Sequence, residues 1–252
     1  MIRVGVVRFP GSNCEPEACR AVQRAGGSAF YLWHRDTGLA GADVVILPGG
    51  FSYGDYLRCG AIARFSPVME PIRRHAAEGG PVLGICNGFQ ILCEAGLLPG
   101  ALVRNERLKY LSRPVDVRVE RADTPFTSAY LAGEVIRLPI GHGDGRYVAT
   151  EDDLDLLEAG EQVVLRYTDR GIADAPANPN GAMRDIAGIC NRVGNVVGIM
   201  PHPERLAETV ADRGELVVGD AEPSMERLLR RRRWRSDRRL LDHRHRAPAT
   251  TG

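Results

Sequence analysis

The stretch Pro81-Val82-Leu83-Gly84-Ile85-Cys86-Asn87-Gly88-Phe89-Gln90-Ile91-Leu92 constrains this chain more than any other. An apolar run ends at a cysteine with a glycine two residues to either side, and helix-compatible residues resume at once. The pattern predicts a sharp strand-to-helix turn. There the glycines let neighbouring backbone pack closely, while the cysteine is held out in a strained conformation as a nucleophile. A helix N-terminus beneath the sulfur would lower the thiol pKa and offer N–H groups to an oxyanion. The same residues also fit a buried core cysteine after a parallel strand, because free cysteine is among the most buried residue types.

Strands and helices alternate around this turn. Residues 2–7 are a β-branched run suited to a buried parallel strand, followed by the turn Arg8-Phe9-Pro10-Gly11-Ser12-Asn13. Residues 15–25 have helical apolar spacing, stopped by Gly26-Gly27, and strands are expected at 28–33 and 43–47. A helix is expected over 61–77, interrupted near Pro67 and Pro71. These βαβ units predict an α/β, flavodoxin-like, mostly parallel sheet with helices on both faces and its active site beyond the carboxyl ends of the strands. Past residue 100 the runs shorten, at 101–104, 115–120, 134–138 and 162–167, which predicts a small antiparallel or mixed extension. Two further strands are expected at 186–190 and 196–200.

Three polar segments lie at strand ends. Gly49-Gly50-Phe51 follows the third strand, where exposed N–H groups suit a second oxyanion donor, although Gly-Gly is also a common turn. Pro139-Ile140-Gly141-His142-Gly143-Asp144-Gly145-Arg146-Tyr147 is a glycine-rich loop able to bind a ligand. Pro201-His202-Pro203-Glu204-Arg205 places a histidine just past a buried strand, on the sheet edge of the cysteine, with a carboxylate positioned to orient its imidazole.

With 252 residues the chain accommodates one α/β domain or two small ones. No apolar run approaches the ~18 residues of a membrane span, and the first residues read as a strand rather than a secretory signal, so a cytoplasmic protein with no membrane partner is expected. The six cysteines form no C-x-x-C pair and are scattered, which argues against a zinc site or a disulfide framework, and no metal is expected. The net charge of +1 hides nine arginines against two aspartates in residues 229–252, leaving 24 basic and 30 acidic groups in an acidic body. The single lysine, Lys109, stands in Leu108-Lys109-Tyr110 and is no Walker-type phosphate loop.

Gly84-Ile85-Cys86-Asn87-Gly88-Phe89-Gln90 with His202-Pro203-Glu204 resembles the class I (triad) glutamine amidotransferases. Phe9-Pro10-Gly11-Ser12-Asn13-Cys14-Glu15, Pro48-Gly49-Gly50-Phe51-Ser52-Tyr53-Gly54-Asp55-Tyr56-Leu57-Arg58, Asn178-Pro179-Asn180-Gly181 and Met200-Pro201-His202-Pro203-Glu204-Arg205 are similar to a narrower branch. Its members are glutaminase subunits of an ammonia-using synthase of purine biosynthesis. The resemblance covers residues 2–228 and implies a class I glutamine amidotransferase domain over 1–228; residues 229–252 lie outside it, and their composition leads to the expectation of a basic, disordered tail. It implies that Cys86 attacks the side-chain amide of glutamine, that His202 acts as base and then acid, and that Glu204 orients His202. It further implies oxyanion donors at Gly50 and Asn87, and contacts to the substrate from Phe51, Gln90, His142, Gly143 and Asp144. The family usually has glutamate where Asp144 stands and a small residue where Cys59 stands. No cofactor is implied in this chain: ATP and magnesium are expected on a larger synthetase partner, accompanied by a small third subunit. Two other readings are a stand-alone cysteine hydrolase of related fold, which the Phe51-to-Arg58 motif disfavours, and a nucleic-acid-binding protein acting through the arginine cluster of residues 230–235. Nucleic acid is not the expected partner, because a solvated extension accounts for that composition.

Overall fold

The computed structural model describes residues 1–169 and 177–207. The basic tail and the domain boundary expected at residue 228 lie outside the described residues. In chain order the strands are β1 (Arg3–Arg8), β2 (Ser28–Trp33), β3 (Val44–Leu47), β4 (Val82–Ile85), β5 (Ala101–Val103), β6 (Leu111–Val119), β7 (Val135–His142), β8 (Arg146–Val148), β9 (Val163–Thr168), β10 (Ile186–Cys190) and β11 (Val196–Ile199). The α-helices are α1 (Glu15–Arg24), α2 (Met69–Ala77), α3 (Asn87–Glu94) and α4 (Glu151–Ala159).

Nine strands make one sheet in the order β2-β1-β3-β4-β11-β10-β9-β6-β7. From β2 to β11 every pairing is parallel, and from β11 onward every pairing is antiparallel. Of the runs expected as an antiparallel or mixed extension, β6, β7 and β9 continue the main sheet, while β5 pairs with β8 in a separate two-stranded ribbon. Strands β3, β4 and β11 are buried along their whole length, as central parallel strands covered on both faces must be, which is why their sequences are unbroken apolar runs. Because β4 and β11 are parallel neighbours, with Ile85 opposite Ile199, their carboxyl ends deliver Cys86 and the segment 200–204 to one edge of the sheet.

The helix expected over 61–77 is broken in two, a short 3₁₀ turn at Ala63–Phe65 and then α2. Pro67 forces the preceding residue out of the helical region, and Ser66 accordingly sits at φ −62°, ψ 139°. Pro71 is tolerated because it falls in the first turn of α2. Helix α4 and strand β8 were not expected. In α4 only Leu154 and Leu157 are buried, too few to stand out against its acidic residues. Strand β7 runs through Gly141 and His142, so the expected loop 139–147 shortens to the turn at 143–145. Among the described residues no helix is long and apolar enough to cross a membrane.

Candidate active site

Cys86 is the junction between β4 and α3 and has φ 51°, ψ −103°, a conformation that L-residues rarely adopt. The turn closes because its N–H donates to Ile199 O at 2.7 Å while its carbonyl accepts from Phe89 and Gln90. Both flanking glycines are sterically required. A Cβ on Gly88 would stand 2.6 Å from the carbonyl carbon of Leu47, and one on Gly84 would stand 2.7 Å from the backbone of Gly88. The thiol lies 3.8 Å from Gly141 O at the start of α3, where the first N–H groups have no intrahelical acceptor.

His202 reaches this edge from β11, its N–H donating to Pro139 O at 2.8 Å, and its Nδ1 meets Glu204 Oε1 at 2.6 Å. Both side chains are 1% exposed. Burial pulls the imidazole pKa down, but the Glu204 carboxylate and the nearby Cys86 and Cys14 sulfurs outweigh it and raise the pKa well above its ordinary value. The imidazole is therefore held in its protonated form beside the Cys86 sulfur. His202 Nε2 has no acceptor among the described residues, as suits a group that shuttles a proton to a ligand.

The oxyanion candidates converge here as well. Gly50 has φ +143°, and a Cβ there would stand 2.8 Å from Ser12 Cα. Its bridge to Ser12 is flanked by bonds from Phe51 N to Gly11 O and Cys14 N to Gly49 O, so the Gly50 N–H keeps no acceptor among the described residues. Asn87 opens α3, and its side chain accepts from Ser52 N at 3.1 Å and donates to Gln90 Oε1 at 2.9 Å.

Of the expected substrate-binding residues, Gln90 donates to the Asp144 carbonyl, not to its carboxylate. The Asp144 carboxylate instead lies 3.9 Å from Arg104, and Phe51 is largely exposed beside Gly50. The Gly143 carbonyl accepts from Asn105 N. Asn105 carries no signal in the sequence, yet it fixes His142. Its amide donates to Lys109 O and His142 O, so its oxygen faces His142 Nδ1 and Gly145 N, each at 3.0 Å. His142 Nδ1 thus carries the proton, and burial, with His202 nearby, lowers its pKa to about 4. Among the described residues His142 lacks the paired carboxylate that His202 has in Glu204.

Cys14 belongs to a motif that gave it no role. Its sulfur, His202 and Glu204 offer donor atoms within 4.8 Å of one another, a set suited to a soft divalent cation. Arg205 Nη2, however, donates to Cys14 Sγ at 3.3 Å, so a positive charge already stands beside this set, and Glu204 Oε1 is engaged by His202. Asn180 is likewise buried, donating to Gly145 O at 2.8 Å, so the Asn-Pro-Asn-Gly motif props the 143–145 turn. Neither contact has a sequence signal, because each joins segments distant in the chain.

A family profile described as "CobB/CobQ-like glutamine amidotransferase domain" matches residues 1–222. A phosphoribosylformylglycinamidine synthase subunit PurQ of Rubrobacter xylanophilus is 57% identical over 214 residues, spanning 85% of this chain and 94% of the relative. The protein of the same name from Streptomyces avermitilis is 56% identical over 213 residues, spanning 84% and 91%. The solved structure of PurLQS from Thermotoga maritima matches with a TM-score of 0.75 at 43% identity, over 90% of this chain and 95% of that one. A GMP synthase homologue from Thermoplasma acidophilum, 18% identical over 81% of this chain and 85% of that one with a TM-score of 0.56, shares the fold.

Proposed function

The chain belongs to the CobB/CobQ-like glutamine amidotransferase family, and from that membership we propose that it is the glutaminase subunit of phosphoribosylformylglycinamidine synthase, an enzyme of purine biosynthesis. The subunit hydrolyses glutamine to glutamate and ammonia. The observation that carries the site assignment is the buried His202–Glu204 pair at 2.6 Å, set at the same sheet edge as a cysteine strained at φ 51°.

The Cys86 thiolate attacks the carboxamide carbon, and the oxygen's developing negative charge meets the N–H groups of Gly50 and Asn87. Protonated His202 gives its proton to the departing nitrogen as the C–N bond breaks. Ammonia leaves, and a γ-glutamyl thioester remains on Cys86. His202, now neutral, takes a proton from water as the water attacks the thioester, and glutamate is released. Glu204 holds the imidazole tautomer and stabilises its charged form. Gln90, the 143–145 turn with Asp144, Phe51 and His142 shape the pocket for the amino-acid end of the substrate.

Amination of an amide oxygen requires activation by a nucleotide, and the single lysine of this chain stands outside any phosphate loop. ATP and magnesium then belong on a larger synthetase partner, with a small third subunit completing a cytoplasmic complex, and the similarity to the PurLQS structure supports this arrangement. The test is Cys86→Ala in the assembled synthase. Glutamine-dependent turnover should fall by several orders of magnitude while turnover with free ammonia persists, because only acyl transfer is lost. Retained glutamine hydrolysis would exclude Cys86 as the nucleophile.

A further inference from the structure

We infer that Asp55 is a substrate-recognition residue, which together with Asp144 receives the α-ammonium group of glutamine and so makes the site select an amino acid over a simple primary amide. This deepens the glutaminase reading and rests on it. Asp55 ends the 3₁₀ segment Ser52–Asp55 that follows β3 and Gly50. Its Oδ1 is 3.5 Å from Asn87 Nδ2, which donates to Gln90 Oε1 at 2.9 Å, and Gln90 Nε2 in turn bonds the Asp144 carbonyl. Asp55 and Asp144 therefore bracket the first turn of the helix that carries the nucleophile, at the two ends of a chain of buried amides. Asn87 and Gln90 are 1% and 5% exposed, whereas both aspartates are half-buried and open to a ligand.

The electrostatics ask for a cation. Burial raises the Asp55 pKa, a hydrogen bond with Cys59 lowers it, and the neighbouring Asp144 raises it again. Among the described residues no basic group pairs with Asp55: Arg58, three residues on, is taken by Glu94, and Arg104 stands beside Asp144. A half-buried carboxylate beside a second one and without a counter-charge is unfavourable, and a cation brought by the ligand relieves it. On the same segment Ser52 is 2% exposed, and its Oγ has no partner among the described residues, leaving a second polar group for a ligand. Tyr53, Asp55 and Leu57 all have positive φ, at 54°, 54° and 71°. This strained backbone is held in place by Tyr53 Oη against His34 Nδ1 and Ser66 Oγ, and by Ser52 N on Asn87.

The experiment compares kcat/KM for glutamine and for glutaramate, its analogue without the α-amino group, in the assembled synthase carrying the wild-type, Asp55→Asn or Asp55→Glu chain. Alkylation of Cys86 by iodoacetamide reports an intact turn in each. The wild type should strongly prefer glutamine. Asp55→Asn should lower kcat/KM for glutamine by about a hundredfold, the scale of truncating one partner of a buried charge pair, with little change for glutaramate, and Asp55→Glu should recover part of the preference. Equal losses on both substrates with Cys86 still alkylated overturn the inference. So does a preference that survives in Asp55→Asn and collapses only in Asp144→Asn. A wild-type synthase that uses no glutamine would overturn the glutaminase reading and this inference together.

Discussion

Cys86 occupies a backbone conformation, φ 51° and ψ −103°, that costs an L-residue about 1–3 kcal/mol. Glycine carries no such cost, so Cys86→Gly should be inactive yet melt at a higher temperature than Cys86→Ala, by about 1 kcal/mol of unfolding free energy. A lower melting temperature for the glycine variant would mean that the turn is not strained. The His202–Glu204 pair has a signature in pH. Glu204 is the largest influence raising the His202 pKa. In Glu204→Gln the imidazolium should lose its proton earlier, moving the alkaline limb of kcat/KM for glutamine to lower pH, with a milder loss of rate than in His202→Ala. An unmoved limb would show that Glu204 does not hold the charge. The same link bears on stability. Because the folded pKa lies above the unfolded value of about 6.5, protonation of His202 stabilises the fold fully below that pH, and the contribution fades as pH rises through the folded pKa. Cys86, His202 and Glu204 were legible as candidates because each follows a clear strand. Cys14 was not, since its partner Arg205 lies 191 residues away.

At the scale of elements, close approach between backbones decides the geometry around the nucleophile. Gly88→Ala would place a methyl 2.6 Å from the Leu47 carbonyl carbon. Neither β3 nor α3 can yield without moving the sheet edge, so this variant should fail to fold or lose on the order of 3 kcal/mol, measured by denaturant unfolding. Helix α4 offers the opposite case. Thr150 caps it, Oγ1 accepting from Asp153 N at 3.1 Å, far from the nucleophile in sequence and at an exposed site. Thr150→Ala should cost about 1 kcal/mol of stability and leave kcat for glutamine unchanged. Runs such as 186–190 and 196–200 were readable because strand burial imposes an apolar pattern over consecutive residues. Helix α4, whose two buried leucines are flanked by acids, obeys no comparable pattern.

For the molecule as a whole, one sheet changes from parallel to antiparallel at the β11–β10 pairing, and the candidate catalytic residues gather at the carboxyl ends of β4 and β11. That edge also carries exposed Phe51, Tyr56 and Leu57 on the segment that follows β3. Ammonia released into solution would be protonated and dilute, so productive hydrolysis belongs inside a complex. The isolated chain should show weak glutaminase activity, rising at least tenfold, or about 1.4 kcal/mol of coupling, when the synthetase partners and their nucleotide ligands are added. Full activity in the isolated chain would contradict partner dependence.

Most of the strands and helices, α4 and β8 excepted, the glycine-bracketed cysteine and the late His-Pro-Glu were written in the amino-acid sequence, because each depends on neighbours a few residues away. Periodicity, turn chemistry and helix propensity act at that range. Tertiary structure alone decided which strands became neighbours, and with that everything long-range: the antiparallel strands joining the main sheet, Asn105 locking the His142 tautomer, Arg205 reaching Cys14, and Asp55 lying next to Asn87. Those contacts bind residues 32 to 191 positions apart. Their energies come from burial and the pairing of polar groups, which exist only once the sheet has assembled.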